Sequence, residues 1–151
     1  MKVVLQRVTR AELIIDQEVY SKIHQGLVVL IGIGNDDTRE DVEWVMKKVM
    51  DMRIFSDKDG KMNLSLKDID GELLLVSQFT LFASTKKGNR PSFINSAKPD
   101  DAIPLYHHSI NYCREKYTSE KIKTGVFGAN MAINLINDGP VTIIMDSKNK
   151  E

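Results

Sequence analysis

The chain has 151 residues, 42% of them hydrophobic, and its 21 basic side chains balance 21 acidic ones. This length suits one domain that buries roughly 70% of its unfolded surface, so we expect a single domain over residues 1–151 with a tail that frays from about residue 146. The sequence has no apolar run near the ~20 residues of a membrane span, no apolar signal-peptide core at its start and one cysteine. These features argue against a membrane protein or a disulfide-rich secreted protein and favour a cytoplasmic one.

The first third of the chain predicts a strand, a hairpin and a buried strand. Residues 2–8 alternate as a strand that places Val3, Leu5 and Arg7 on one face. An arginine on an apolar face either donates to carbonyl or carboxylate oxygens, or it lies at the strand end and reaches solvent. Further strands are predicted at residues 12–15, 19–23 and 26–33. Gly32 and Gly34 fit two positions of a dinucleotide-binding GxGxxG motif, but the third position is not glycine.

An amphipathic helix is predicted from Thr38, with Asp41 three residues later in a capping-box arrangement. Its apolar stripe has helical spacing and comprises Val42, Val45, Met46, Val49 and Met50. Two short strands, at residues 53–55 and 61–66, are expected on either side of a turn at residues 57–60. That turn is too short to be an EF-hand calcium loop.

Residues 71–81 carry the most informative pattern. Four consecutive apolar residues, 73–76, predict a buried strand. Ser77, Gln78 and Thr80 then follow where a core strand would carry apolar side chains. Because an unpaired buried polar group costs about 1–3 kcal/mol, these side chains either find partners inside the fold or face a ligand. The alternative is a strand that simply ends in a polar turn, and we expect the backbone to stay extended to residue 83.

Charge is segregated along the chain. Residues 73–99 and 121–137 contain no acid and together hold six basic residues, so the rest of the chain carries 15 basic against 21 acidic residues. Such segregation attracts an anion without making the protein basic overall, although windows of this kind also arise by chance. The loop predicted at residues 84–96 contains Lys86, Lys87 and Arg90, which either contact phosphates or form a solvated loop.

The remaining elements complete an α+β protein. A second helix is predicted over residues 100–116, with Pro104 in its first turn or at a kink, and with Ala102, Leu105, Tyr106, Ile110 and Cys113 facing inward. A glycine-containing loop at 125–130, a strand at 131–136, a turn at 137–140 and a last strand at 141–145 follow. The fold class is a mostly antiparallel sheet or barrel of seven or eight strands packed with two main helices.

The residues that usually carry acid–base or metal chemistry are scarce. The three histidines and one cysteine have no metal-ligand spacing, and no G-x-S-x-G nucleophile elbow is present. A serine or threonine nucleophile needs a base, and the sequence offers none beside Thr80. An enzyme of this composition would act on an already activated bond with main-chain donors, and we expect no metal and no cofactor.

Two motifs carry a resemblance to a known family. Residues 77–81 (SQFTL) and 137–142 (NDGPVT) resemble the signatures of the D-aminoacyl-tRNA deacylase family. Residues 6–8, 53–64 and 88–93 resemble further segments of that family in the same order, so the resemblance spans essentially the whole chain.

The resemblance implies the reaction, the partners and the chiral filter. The family cleaves a D-amino acid, or mischarged glycine, from the 3′ end of tRNA, and it acts as a homodimer with active sites at the subunit interface. By resemblance, Gly139–Pro140 is a cis peptide inserted into the partner's site, where its carbonyls hold the α-amino group and exclude an L side chain. Arg7 orients that segment.

The resemblance also assigns roles within the site. Thr80 and the main chain of Ser77, Gln78 and Phe79 position the ester, while the 2′-hydroxyl of the terminal ribose assists hydrolysis. Phe127 and Met131 either help form the adenosine pocket or pack in the core.

Two other functions remain open. A non-catalytic module that binds RNA 3′ ends would hold charged tRNA without releasing the amino acid. An esterase for small acyl substrates would show little dependence on salt, because it would not need the basic loop.

Overall fold

The computed structural model describes residues 1–150, which form a mixed sheet packed against two α-helices. The strands are β1 (Lys2–Ile15), β2 (Glu18–Ile23), β3 (Gly26–Gly32), β4 (Phe55–Ser56), β5 (Met62–Leu64), β6 (Glu72–Ser77), β7 (Ile122–Thr124) and β8 (Ala132–Asp146). The helices are α1 (Arg39–Asp51) and α2 (Pro99–Lys116), with short 3₁₀ helices at Phe79–Phe82 and Ser119–Lys121. The predicted α+β class is confirmed.

The long strand β1 is the hub of the sheet. It pairs antiparallel with β2 and β3 on one side and with β8 on the other. The order β2-β1-β3-β6-β7 then continues through two parallel pairings, β3 with β6 and β6 with β7. The strands β4 and β5 form a separate hairpin. The carboxyl ends of β3 and β6 therefore lie side by side, and residues 31 and 77 are paired there.

The main core lies between the sheet and the two helices. All five members of the predicted stripe of α1 are buried, and the Thr38–Asp41 capping box is present. On α2, Tyr106 and Cys113 are buried as predicted, whereas Leu105 is only partly buried. Pro104 lies inside α2 rather than in its first turn, and the exposed turn before it loses one helical hydrogen bond.

Several predicted boundaries were wrong because long-range pairing overrides local pattern. The two strands predicted within residues 2–15 are one strand, held by β8 along its whole length. The chain was predicted to stay extended to residue 83, but Phe79–Phe82 form a 3₁₀ helix and only Ala83 is extended. Strand β7 was not predicted, since three residues carry no usable periodicity.

The predicted turn at 137–140 is a bulge within β8. Gln6 of β1 pairs with Thr142 and Val8 pairs with Asn137, so residues 138–141 stand opposite Arg7 alone. The Asn137 side chain closes the base of this bulge: it accepts from the amide of Val141 at 3.2 Å and donates to the Thr142 hydroxyl at 2.8 Å. The excursion therefore projects from a continuous strand.

Both ends of the described chain meet beside the turn after β3. The buried amino group of Met1 pairs with Asp37 and donates to the Ser147 hydroxyl at 2.7 Å. The Ser147 amide donates to the carbonyl of Met1 at 2.8 Å. Ser147 is buried, so this part of the segment predicted to fray is held in place.

Candidate active site

A cleft of about 290 Å³ opens at the carboxyl ends of the parallel strands β3 and β6. In open α/β sheets ligands bind at such strand ends, because the backbone there turns away and leaves a crevice. The lining residues come from these strand ends, the start of α2 and the loop before β8: Ile31, Ile33, Val76, Ser77, Gln78, Phe79, Ser96, Ala97, Ala102, Phe127, Gly128, Ala129, Asn130, Met131 and Ile133.

The predicted catalytic segment lies at the edge of this cleft. Ser77 and Gln78 are half-buried, while Phe79 and Thr80 are exposed. The amide of Gln78 donates to the Ile31 carbonyl at 2.6 Å, and its side-chain amide donates to the Thr80 hydroxyl at 2.6 Å. The side chains of Gln78 and Thr80 are thus partners of each other, and Ser77 and Gln78 line the cleft.

Gly32 and Gly34 explain why the chain can turn so tightly after β6. A Cβ atom on Gly32 would lie 2.9 Å from the Cβ of Leu81, and one on Gly34 would lie 2.8 Å from the ring of Phe82. Any larger residue would therefore push the 3₁₀ helix away from β3. These are the two glycines of the incomplete GxGxxG pattern, and their spacing was a signal for this close approach.

The opposite wall is formed by the loop after β7. Phe127 packs against Tyr106 with ring centroids 5.8 Å apart, and the Tyr106 hydroxyl donates to the Leu75 carbonyl at 2.9 Å. Burial raises the pKa of Tyr106, so it is a neutral support for the wall. Met131 lines the cleft and also covers Gly125, where a Cβ atom would lie 2.5 Å from its sulfur. Phe127 and Met131 thus both line the cleft and pack against the core.

Arg7 and the bulge of β8 form a second group. The Gly139–Pro140 peptide bond is cis, Gly139 has φ +117°, and both residues are exposed. Arg7 is buried, with 8% of its surface exposed. Its Nε donates to the Asp138 carbonyl at 3.2 Å and lies 3.1 Å from the Asp138 carboxylate. Its Nη1 donates to the Ile54 carbonyl at 2.6 Å. The sequence left Arg7 either with oxygen partners or at a strand end in solvent. The structure shows the first, with carbonyl and carboxylate partners.

The basic residues lie on an exposed loop next to Phe79. Ser84 and Ser92 pair through two backbone hydrogen bonds, so residues 84–92 form a small closed loop, which we call the basic loop. Its side chains Lys86, Lys87 and Arg90 are exposed. Phe93 follows the loop and contacts Phe79 edge to face, with ring centroids 5.0 Å apart.

The geometry supports binding and main-chain positioning more than side-chain acid–base catalysis. Within residues 1–150, no group of three or more His, Cys, Asp or Glu side chains could hold a metal ion. No helix in the same range is long and apolar enough to cross a membrane. The hydrogen-bond partner of Thr80 is an amide, which cannot take up its proton.

The structure therefore brings together some predicted site residues and separates others. Ser77, Gln78, Phe79, Phe127 and Met131 line one cleft. Gly139 and Pro140 do not line this cleft. They lie in the bulge of β8, which Arg7 of β1 contacts through Asp138. The cleft wall formed by Ile31, Ile33, Ser96 and Ala97 was not predicted, because it depends on the parallel pairing of β3 and β6.

Comparison with known proteins identifies relatives over the whole chain. The family model described as D-Tyr-tRNA(Tyr) deacylase matches residues 4–146. Proteins named D-aminoacyl-tRNA deacylase from Flavobacterium psychrophilum and Cytophaga hutchinsonii are 55% and 58% identical over 151 residues, which is 100% of both chains in each case.

Solved structures show the same fold. A structure described as c-Myc DNA Unwinding Element Binding Protein superposes with a TM-score of 0.92 and 41% identity, covering 97% of this chain and 98% of the other. A probable eukaryotic D-amino acid tRNA deacylase superposes with a TM-score of 0.81 over 95% of this chain and 97% of the other. At 20% identity, the second likeness concerns the fold alone.

Proposed function

The chain belongs to the D-Tyr-tRNA(Tyr) deacylase family, and we propose that it hydrolyses the ester bond of D-aminoacyl-tRNA to give free tRNA and the amino acid. The observation that carries this proposal is the sequence identity of 55% and 58%, over the full length, to relatives named for that activity. The cleft at the ends of β3 and β6 supports it, because it presents the SQFTL segment beside an apolar pocket.

The terminal adenosine would enter that cleft. Phe127 offers an aromatic face among apolar neighbours, and stacking on such a face suits a splayed base. The main chain of Ser77, Gln78 and Phe79 would then hold the ester at the cleft edge, next to the Thr80 hydroxyl. Mischarged glycyl-tRNA would be accepted as well, since glycine has no side chain to exclude.

We propose that the 2′-hydroxyl of the terminal ribose assists hydrolysis. An ester to a ribose is already activated, and main-chain donors suffice to stabilise charge that develops on its carbonyl oxygen. The lack of a base hydrogen-bonded to Thr80 supports this division of labour between protein and RNA.

A second copy of the chain would distinguish D- from L-aminoacyl substrates. Gly139 and Pro140 are exposed and stand apart from their own cleft, which suits insertion into the cleft of a partner in a homodimer. There the carbonyl oxygens of this segment would accept hydrogen bonds from the substrate's α-ammonium group and leave no room for an L side chain. Arg7 would hold the segment in position.

The rest of the tRNA would meet the basic loop. Lys86, Lys87 and Arg90 are exposed, and the contact between Phe93 and Phe79 links this loop to the catalytic segment. Phosphate contacts there would make binding depend on salt. Since its substrate is charged tRNA, we propose that the protein acts in the cytoplasm.

Release of labelled tyrosine from D-tyrosyl-tRNA and L-tyrosyl-tRNA, measured in parallel at catalytic protein concentrations, tests the proposal. Release from the D form alone is expected. Equal release from both forms would leave an esterase without the chiral filter. Binding without release from either form would favour the RNA 3′-end binding module instead.

A further inference from the structure

Arg7 is held at two points, and only one of them belongs to the bulge that carries Gly139 and Pro140. Its Nε contacts the Asp138 carbonyl, whereas its Nη1 donates to the Ile54 carbonyl at 2.6 Å. Because a guanidinium is planar and rigid, the position of Ile54 fixes the direction in which the rest of the group points. The orientation of Arg7 therefore depends on a residue far from it in sequence.

The Ile54 carbonyl is fixed by the hairpin formed by β4 and β5. Ile54 and Phe55 are both buried, and Phe55 pairs with Leu64 across the hairpin. On the other side of Ile54, Arg53 reaches across the same hairpin to Asn63. Its Nε donates to the Asn63 carbonyl at 2.6 Å, and its Nη2 donates to the Asn63 side-chain oxygen at 2.7 Å.

Asn63 also anchors the turn of this hairpin. Its side-chain nitrogen donates to the Asp57 carboxylate at 2.9 Å, and the other oxygen of Asp57 accepts from the amides of Asp59 and Lys61. These hydrogen bonds, that from the Asn63 side chain above all, lower the pKa of Asp57. One side chain, Asn63, thus joins the turn to the residue that precedes Ile54.

We infer that the Arg53–Asn63 clamp positions Arg7 and thereby the Gly139–Pro140 segment, so that it contributes to discrimination between D- and L-aminoacyl esters. Neither clamp residue lines the cleft, so we expect them to act through Arg7 rather than on substrate. The inference rests on the proposed function and adds positioning residues to it. The clamp also gives a role to residues 53–64, which resemble a segment of the family but had no role assigned.

Two variants test the clamp in the full-length protein. Asn63→Ala removes the two side-chain contacts of Asn63, with Arg53 and with Asp57. Arg53→Lys keeps the positive charge but loses one of the two donors to Asn63. Lys67→Ala is the matched control, because it removes an exposed side-chain contact, with Asp51 at 2.8 Å, that has no link to Arg7. For each protein, kcat/KM is measured on D- and L-tyrosyl-tRNA, together with the thermal midpoint.

The D-over-L ratio of kcat/KM is expected to fall roughly tenfold in both clamp variants, which corresponds to the loss of about one charge-assisted hydrogen bond. Lys67→Ala should leave the ratio unchanged. A merely structural role would lower activity on both substrates in parallel, and an unchanged ratio in the clamp variants would overturn the inference. If the unmodified protein releases neither amino acid, the proposed function itself is wrong.

Discussion

Replacing Thr80 by alanine decides whether the protein or the RNA supplies the catalytic group. Thr80 carries an exposed hydroxyl directly after the cleft-lining residues 77–79, and the family motif makes it the candidate nucleophile. Its oxygen accepts a hydrogen bond of 2.6 Å from the side-chain amide of Gln78. An amide N–H donor cannot accept a proton, so the hydroxyl is oriented but not activated.

The two possible roles of Thr80 differ greatly in expected size. If the hydroxyl only positions the ester, its loss removes about one neutral hydrogen bond of roughly 0.5–1.5 kcal/mol, which is about 2- to 12-fold in rate. If it were the nucleophile, its loss would cost on the order of 10³-fold or more. The structure predicts the smaller effect.

Single-turnover release from D-tyrosyl-tRNA provides the measurement, with Thr80→Ser as the control that keeps the hydroxyl. Thr80→Ala should stay within about tenfold of the unmodified protein. A tRNA that ends in 2′-deoxyadenosine should lose about 10²-fold or more with both proteins, in the range of general acid–base assistance. A loss of about 10³-fold in Thr80→Ala, with tRNA binding unchanged, would refute the reasoning.

Four further changes test other parts of the molecule. Arg7→Lys can keep only one of the two carbonyl contacts, so the D-over-L ratio of kcat/KM should fall about 10- to 100-fold; an unchanged ratio would mean that Arg7 does not orient the bulge. Gly139→Ala places a Cβ atom 2.8 Å from Nη2 of Arg7 at a strained φ of +117°, so both the same ratio and the thermal midpoint should fall; a normal ratio would separate Gly139 from chirality. Alanine at all three basic positions of the basic loop should reduce the slope of log affinity for charged tRNA against log salt by about two, at ~0.7 per phosphate contact on a single strand; an unchanged slope would place the phosphates elsewhere. Burial raises the pKa of Asp41, but hydrogen bonds from Lys148, Ser147 and Thr38 lower it more, so the folded pKa lies below the ordinary 3.8. The unfolded state therefore binds more protons as the pH falls through about 4, and urea midpoints should drop between about pH 5 and pH 3, less steeply in Asp41→Asn.

The elements that sequence analysis predicted correctly are those with a strong local pattern. The stripe of α1 has helical spacing and a capping box at its start, and both are present as expected. The strand at 73–76 is apolar throughout because it is buried between two parallel neighbours. In both cases the signal and its structural cause lie within a few residues of each other.

The errors arose where distant segments decide the conformation. Pairing with β8 joins two predicted strands into β1, and the turn predicted at 137–140 is a bulge within the same pairing. The 3₁₀ helix at 79–82 depends on two glycines far earlier in the sequence, Gly32 at the end of β3 and Gly34 just after it. A periodic pattern in one segment carries no information on such partners.

The site was predicted from motifs, but its assembly was not. Residues 77–79 line the cleft, whereas Gly139 and Pro140 lie outside its lining. A complete site of the proposed kind needs a second copy, and one sequence cannot show which surfaces two copies share. For Arg7 the sequence left two options, oxygen partners or solvent at a strand end, and the structure has the oxygen partners.

The pairing of β1 with β8 has a consequence for biosynthesis. β1 is made before β8, the strand from Ala132 that covers the outer edge of β1. Until the ribosome has delivered that strand, the edge of β1 presents unpaired amide and carbonyl groups to other nascent chains. Contacts between such distant segments also form slowly. Translation pauses or truncation before residue 132 should therefore yield aggregates rather than partly active protein.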